Sequence, residues 1–287
     1  NYQGAADAWG RAARLAPRVS RYAEFEGLAL ERLGMLEEAL GACDRALAID
    51  PDRTSSREFR WRLLSRLDRN TELVPELEAA VAADPGNGMA RLLLLKAIHG
   101  RAPSQNLVAA LEKALEDLPG DLALTAGLAG AVYGTGDEDR AEELYRRVLT
   151  QRPGDYSASL VVGERALVAG RVEEARRILE AGVRKNPDRA AMQVMAARAR
   201  MADGDFANAR EALVRAYQLE PGWARTWLAA GELGILEGLP EQAAANLDRA
   251  AAAAGGNDPD LWRRLAAAYR SLGREDDAAD AERRARH

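Results

Sequence analysis

Residues 122–136 read LALTAGLAGAVYGTG, and residues 137–153 continue with DEDRAEELYRRVLTQRP. The first segment places Leu124, Leu128 and Val132 at four-residue intervals, which is helical spacing. The second segment has small and apolar residues at a similar spacing. Each segment therefore predicts an amphipathic helix with one buried face.

The residues between and after these segments predict where the helices end. Gly136 can adopt the positive φ that closes a helix, and Asp137 is of a type that caps the next one. Pro153 disfavours a helical conformation at the preceding residue. The stretch therefore predicts a helix, a glycine turn, a second helix and a proline exit.

The same pattern recurs along the chain at a constant period of about 34 residues. One series with this step consists of Pro17, Pro51, Pro85, Pro119, Pro153, Pro187 and Pro221. A small-residue series with the same step consists of Ala12, Ala46, Ala80, Ala114, Val148, Gly182, Ala216 and Ala250. Glycines mark the middle of most units at Gly34, Gly136, Gly170, Gly204, Gly238 and Gly273. Series that share one register predict a tandem array of helical pairs.

These residues resemble the tetratricopeptide repeat, whose pattern runs Trp, Leu, Gly, Tyr, then Ala, Phe, Ala and Pro. The final unit matches with Trp262, Leu265, Ala266, Tyr269, Gly273, Ala278 and Ala285. The resemblance covers essentially the whole chain. It implies an all-α fold, an alpha-alpha superhelix of antiparallel helix pairs.

The sequence divides into one incomplete unit and eight repeats. Residues 1–19 supply only the second helix of a unit, so we expect a fragment or the ordered part of a longer chain. The repeats are predicted at residues 20–53, 54–87, 88–121, 122–155, 156–189, 190–223, 224–258 and 259–287.

Repeats 54–87 and 88–121 are degenerate. Trp61 and Leu95 occupy the position that is Gly or Ala in other units. Pro75 falls inside the predicted second helix, which we expect it to shorten or kink. Sequence drift with a local change of superhelix pitch is favoured over a functional hinge.

The composition argues against several classes of function. The net charge of −5 argues against general attraction to nucleic acid. One cysteine, Cys43, excludes an internal disulfide, and two histidines, His99 and His287, argue against a multi-histidine metal centre. No residues reach the pattern of a catalytic site. We therefore expect no enzyme activity, no metal and no cofactor.

The distribution of charge and residue types also bears on location and origin. The longest uncharged stretch, residues 122–136, contains Thr125, Thr135 and four glycines. It is shorter and more polar than the roughly 20 mostly apolar residues that a membrane-spanning helix needs. No membrane insertion is expected, and the chain is predicted to be soluble, in the cytoplasm or the periplasm. The 37 arginines against three lysines and the 60 alanines indicate a bacterial genome of high GC content.

In the family, the second, fifth, ninth and twelfth positions of each repeat face the concave side. Here these positions are charged at both ends of the array and apolar in the middle. The apolar strip consists of Leu92, Tyr133, Leu160, Leu167, Val194, Met201, Leu228 and Ile235. The predicted partner-binding groove consists of Leu92, Lys96, Ala126, Gly130, Tyr133, Leu160, Glu164, Leu167, Val194, Arg198, Met201, Leu228, Glu232 and Ile235. An exposed apolar strip is typical of a protein-binding surface; the alternative is that neighbouring turns of the superhelix or a missing terminal helix cover it.

The leading hypothesis is a protein-protein interaction scaffold that binds a peptide or helix of a partner protein in the concave groove. One alternative is a targeting or substrate-recruiting region of a larger enzyme, such as a transferase, or a bacterial envelope or secretion assembly factor. Another is a self-assembling scaffold, in which the partner is a second copy. The family's carboxylate clamp and asparagine ladder need asparagines that this sequence lacks at the corresponding positions, so recognition is expected to use apolar contacts.

Overall fold

The computed structural model describes residues 2–255 and 258–286, and within these ranges the chain is entirely α-helical, with no strand. A single helix, α1 (Tyr2–Leu15), precedes eight helical pairs. The first helices of the pairs are α2 (Ser20–Arg32), α4 (Thr54–Arg66), α6 (Gly88–His99), α8 (Leu122–Gly134), α10 (Tyr156–Val168), α12 (Ala190–Ala202), α14 (Ala224–Leu236) and α16 (Pro259–Ser271). The second helices are α3 (Leu36–Ile49), α5 (Asn70–Ala83), α7 (Gln105–Asp117), α9 (Glu138–Gln151), α11 (Val172–Lys185), α13 (Phe206–Leu219), α15 (Pro240–Ala253) and α17 (Glu275–Arg284).

The predicted all-α class is confirmed. Each first helix begins at the residue with which the sequence-based division starts a repeat, from Ser20 to Pro259. The residues Asn1, Gly256, Asn257 and His287, which belong to the predicted units 1–19, 224–258 and 259–287, lie outside the described residues.

The helices form two compact units, one that ends at Ala141 and one that begins at Glu142. In the first unit, α1 packs on α2, α2 on α3, and α6 on α8. In the second unit the first helices pack side by side, α10 on α12, α12 on α14 and α14 on α16. Each of these first helices from α10 onward also packs against the second helix of its own pair.

Glycine permits a close approach of helices at a position that recurs in the second unit. Gly163 and Gly231 each stand eighth in the first helix of a pair. A Cβ on Gly163 would lie 2.6 Å from Leu179, and a Cβ on Gly231 would lie 2.5 Å from Leu247. Both leucines are fully buried. The small residues are therefore needed for the first and second helices of a pair to approach one another.

Local residues end and cap the helices as the sequence predicts. Gly136 adopts a φ of +92° after α8, and the amide of Arg140 donates to Asp137 Oδ1 at 3.2 Å. Ser104 Oγ likewise accepts a hydrogen bond from the amide of Leu107 at 3.2 Å.

The degenerate repeat 54–87 keeps its two helices. The expectation that Pro75 shortens its helix is wrong, because α5 has 14 residues, as many as α3. Leu73 and Leu77, on either side of the proline, are fully buried, and this burial stabilises the helix against the lost backbone hydrogen bond. Trp61 fills the core here and donates from Nε1 to Glu76 at 3.1 Å.

Candidate functional site

A cavity of about 600 Å³ lies on the first helices α10, α12, α14 and α16 of the second unit. We call it the first-helix cavity. It is lined by Leu167, Arg198, Met201, Ala202, Glu232, Ile235, Leu236, Arg264, Ala267, Ala268 and Ser271. Its volume is within the range of about 300 to 1,000 Å³ that is usual for ligand pockets.

Five residues of the predicted groove line this cavity, and the repeat period explains why they come together. Leu167, Met201 and Ile235 are one period apart, at the twelfth position of successive first helices. Arg198 and Glu232 are likewise one period apart, at the ninth position. Because equivalent helices pack side by side, equivalent positions form rows across them. One row here is apolar and the other is charged.

The charged row alternates in sign from Glu164 through Arg198 to Glu232, and Arg264, at the sixth position of α16, lies beside Glu232. Arg198 Nη1 donates to Glu164 Oε1 at 3.3 Å, and Arg264 Nη2 lies 2.6 Å from both carboxylate oxygens of Glu232. Burial lowers the pKa of Arg198, and the like charge of Arg264 lowers it further. Among the described residues, the Nε and Nη2 groups of Arg198 have no hydrogen-bond partner, although a guanidinium has five N–H donors. This side chain can therefore donate to carbonyl or carboxylate oxygens of a bound molecule.

The apolar row is only partly open. Leu167 and Ile235 are half-buried, and Met201 is 7% exposed although it lines the cavity. Leu236, the next residue of α14, is 54% exposed. The cavity therefore offers an apolar wall beside the charged row.

The expectation that the apolar strip is exposed is wrong at four positions, since Leu92, Val194, Met201 and Leu228 are buried by the chain itself. Three of these, Leu92, Val194 and Leu228, stand at the fifth position of a first helix, where neighbouring helices pack. Leu228 belongs to the core cluster that contains Leu247 and Leu261.

The other buried leucine at this position, Leu92, packs against α8. Its Cδ1 lies so close to Gly127 that a Cβ at that residue would clash with it. Val194 belongs to the core cluster that contains Leu213 and Leu233. Leu160, the fifth residue of α10, is half-buried. Most of the apolar residues at the fifth position are therefore packing residues in this chain.

Lys96, Ala126, Gly130 and Tyr133 belong to the first unit. Lys96 is half-buried on α6, where burial and the nearby Arg101 lower its pKa. Ala126 and Gly130 are half-buried on α8, and Tyr133 is exposed near the end of that helix.

The sequence reasoning missed several residues that line the first-helix cavity, namely Ala202, Leu236, Arg264, Ala268 and Ser271. They stand at the sixth, tenth or thirteenth position of a first helix, whereas only the second, fifth, ninth and twelfth positions were assigned to the groove. The sequence did contain a signal for one of these residues. Leu236 is apolar and immediately follows the predicted groove residue Ile235 at the end of α14, so it could have been added to the groove.

Cys43 is buried in the core of the first unit, and His99 lies at the surface. The thiol of Cys43 donates to the carbonyl oxygen of Ser56 at 3.0 Å, and burial raises its pKa to about 12. His99 is exposed at the end of α6. In the part of the chain that the structure describes, no group of three or more His, Cys, Asp or Glu residues could hold a metal ion. None of the described helices has the length and apolar composition needed to cross a bilayer.

Two sequence models described as tetratricopeptide repeat match the chain, one at residues 108–160 and 133–200 and the other at residues 1–54. Several solved structures are similar in fold. MamA from Desulfovibrio magneticus RS-1 is 21% identical over 57% of this chain and 94% of its own, with a TM-score of 0.48. A thermophilic TPR protein of Thermus thermophilus is 25% identical over 57% of this chain and 90% of its own, with a TM-score of 0.49.

A tetratricopeptide repeat protein from Parabacteroides merdae is 13% identical over 87% of this chain and 98% of its own, with a TM-score of 0.44. No curated protein sequence matches the chain.

Proposed function

The chain belongs to the tetratricopeptide repeat family, and from this premise we propose that it is a non-enzymatic scaffold for protein-protein interaction. The first-helix cavity binds a peptide or helix of a partner protein. The observation that supports this most is that Leu167, Met201 and Ile235 line one cavity together with the ninth-position residues Arg198 and Glu232.

The two rows of the cavity define the chemistry of the bound segment. Leu167, Ile235 and Leu236 bury an apolar face of the partner, and this burial supplies most of the affinity. The N–H groups of Arg198 that have no partner among the described residues donate to backbone carbonyl or carboxylate oxygens of the segment. Glu232 and Arg264 neutralise each other at 2.6 Å, which leaves Arg198 as the remaining charged residue of the lining. An amphipathic segment with one apolar face and exposed carbonyl oxygens fits this surface.

The test compares capture of a partner by two double variants of the full chain. Leu167→Ala/Ile235→Ala removes apolar surface from the cavity, where both side chains are half-buried. The matched control, Val168→Ala/Leu239→Ala, removes similar side chains that are exposed and do not line the cavity. Circular dichroism establishes that both variants are folded.

We expect the wild type and the control to capture the same partner protein. When that partner is purified and titrated by calorimetry, its affinity for the cavity variant should be at least about tenfold lower than its affinity for the control. The same affinity for the cavity variant and the control would exclude this surface as the binding site.

A further inference from the structure

A second cavity of the second unit lies between the second helices α9 and α11 and has a volume of about 510 Å³. It is lined by Arg146, Leu149, Thr150, Pro153, Gly154, Glu174, Arg177, Ile178, Ala181 and Arg184. We call it the arginine cleft. None of these residues lines the first-helix cavity.

The charge of the arginine cleft is opposite to that of the chain as a whole. Three arginines and one glutamate line it and give it a local charge of +2, whereas the chain carries −5. Arg146 is ion-paired with Glu142 at 2.7 Å and with Glu174. Arg177 and Arg184 are exposed, and neither side chain has a hydrogen-bond or ion-pair partner among the described residues. Two guanidinium groups are therefore available to an anionic ligand.

Between the arginines, the wall of the cleft is apolar. Leu149, Ile178 and Ala181 are half-buried and line the cavity from both helices. An aliphatic side chain that covers them removes this apolar surface from water, which favours binding. A ligand that is only charged gains nothing from this part of the cleft.

This combination is particular to one position in the repeat array. Because the sequence repeats with a period of 34 residues, the residues at the positions of Arg146, Arg177 and Arg184 in other repeats are found by adding or subtracting whole periods. Three periods earlier they are Asp44, Pro75 and Ala82. One period later they are Glu180, Glu211 and Gln218. None of these six residues is an arginine, so the repeat pattern itself does not require the three arginines of the cleft.

We propose that the arginine cleft binds an acidic segment of a partner protein that carries at least one aliphatic side chain. Carboxylates of the segment pair with Arg177 and Arg184, and the aliphatic side chain covers Leu149 and Ile178. This site uses second helices, so it is additional to the first-helix cavity.

The experiment measures binding of a blocked, fluorescein-labelled peptide, in which Asp-Glu-Leu is repeated three times, to the full chain by fluorescence anisotropy. The variant Arg177→Gln/Arg184→Gln removes the two unpaired charges, and both side chains are exposed, so the fold is retained. We expect its affinity for the peptide to be about fivefold lower than that of the wild type. Affinity for the wild type falls as salt is added.

The matched control is Arg11→Gln/Arg215→Gln, which changes the net charge equally at two exposed arginines outside the cleft. Its affinity should equal that of the wild type. Equal weakening in the control would overturn the proposal, because it would show attraction to the charge of the whole chain.

Three further results would also overturn it. The first is that a peptide with lysine in place of the acidic residues binds as tightly as the acidic peptide. The second is that a peptide with serine in place of leucine binds as tightly as the acidic peptide. The third is that an oligothymidylate binds the wild type more tightly than the acidic peptide does and no longer binds the cleft variant Arg177→Gln/Arg184→Gln. The variant Leu167→Ala/Ile235→Ala separates the two sites, since we expect it to bind the acidic peptide as tightly as the wild type. Loss of binding in that variant would assign the peptide to the first-helix cavity instead.

Discussion

At the scale of single residues, Asp68 carries a conformational cost that the other turns avoid. Its φ is +55°, and it is the one non-glycine residue with positive φ in the described chain. It stands one period after Gly34, whose φ is +79°. A left-handed conformation is unfavourable for residues with a Cβ, although Asp tolerates it better than most. Its exposed ion pair with Arg101, at 2.9 Å, contributes little.

The first prediction compares Asp68→Gly with Asp68→Ala. Both variants lose the ion pair with Arg101, so they differ mainly in the cost of the left-handed conformation. We expect the free energy of unfolding, measured by urea denaturation, to be about 1 kcal/mol higher for the glycine variant. Equal stability of the two variants would contradict the left-handed turn at this residue.

At the scale of elements, α5 shows how packing overrides a helix-breaking residue. Pro75 is exposed, while Leu73 and Leu77 on either side of it are buried in the core with Trp61. Replacing the proline therefore changes the backbone hydrogen bonding and leaves the core packing in place.

The second prediction is that Pro75→Ala raises the free energy of unfolding by about 2 kcal/mol. Proline costs about 3 kcal/mol relative to alanine inside a helix. The unfolded chain of the variant is more flexible, which offsets part of this gain. Urea denaturation followed by circular dichroism measures it. The control is Pro240→Ala, where the proline begins α15 and fits the first turn. We expect no stabilisation there, and an equal gain in both variants would refute the argument.

At the scale of the whole molecule, the chain forms two compact units, of which the first ends at Ala141 and the second begins at Glu142. Within each unit, helices pack against their neighbours in the array. The stability of such an array is approximately a sum of terms for repeats and their nearest neighbours. A local stabilisation should therefore remain local.

The third prediction applies this to hydrogen exchange in the Pro75→Ala variant. We expect slower amide exchange in α4, α5 and α6, which pack against one another, and unchanged exchange in α14 to α17. Mass spectrometry of peptic peptides resolves these segments. Uniform slowing in both units would show instead that the chain opens as one cooperative body.

The sequence predicted more of the fold than of the candidate site. Glycine and proline restrict the backbone locally, so their periodic series indicated the helix ends, such as the positive φ at Gly136. The sequence around Pro75 did not predict that α5 keeps its full length. The burial of Leu73 and Leu77 decided this, and burial is a property of the tertiary packing. The division into repeats, the groove residues and the alternatives of a targeting region or a self-assembling scaffold remain predictions.

The sequence by itself determined the all-α class and the period that aligns Leu167, Met201 and Ile235, because both follow from local backbone preferences and from counting residues. Only the tertiary structure decided which of the aligned side chains stay open to a partner. At the twelfth position Met201 is 7% exposed whereas Leu167 and Ile235 are half-buried, although the same spacing aligns all three. The physical reason is that exposure depends on how closely the neighbouring helices pack over each position.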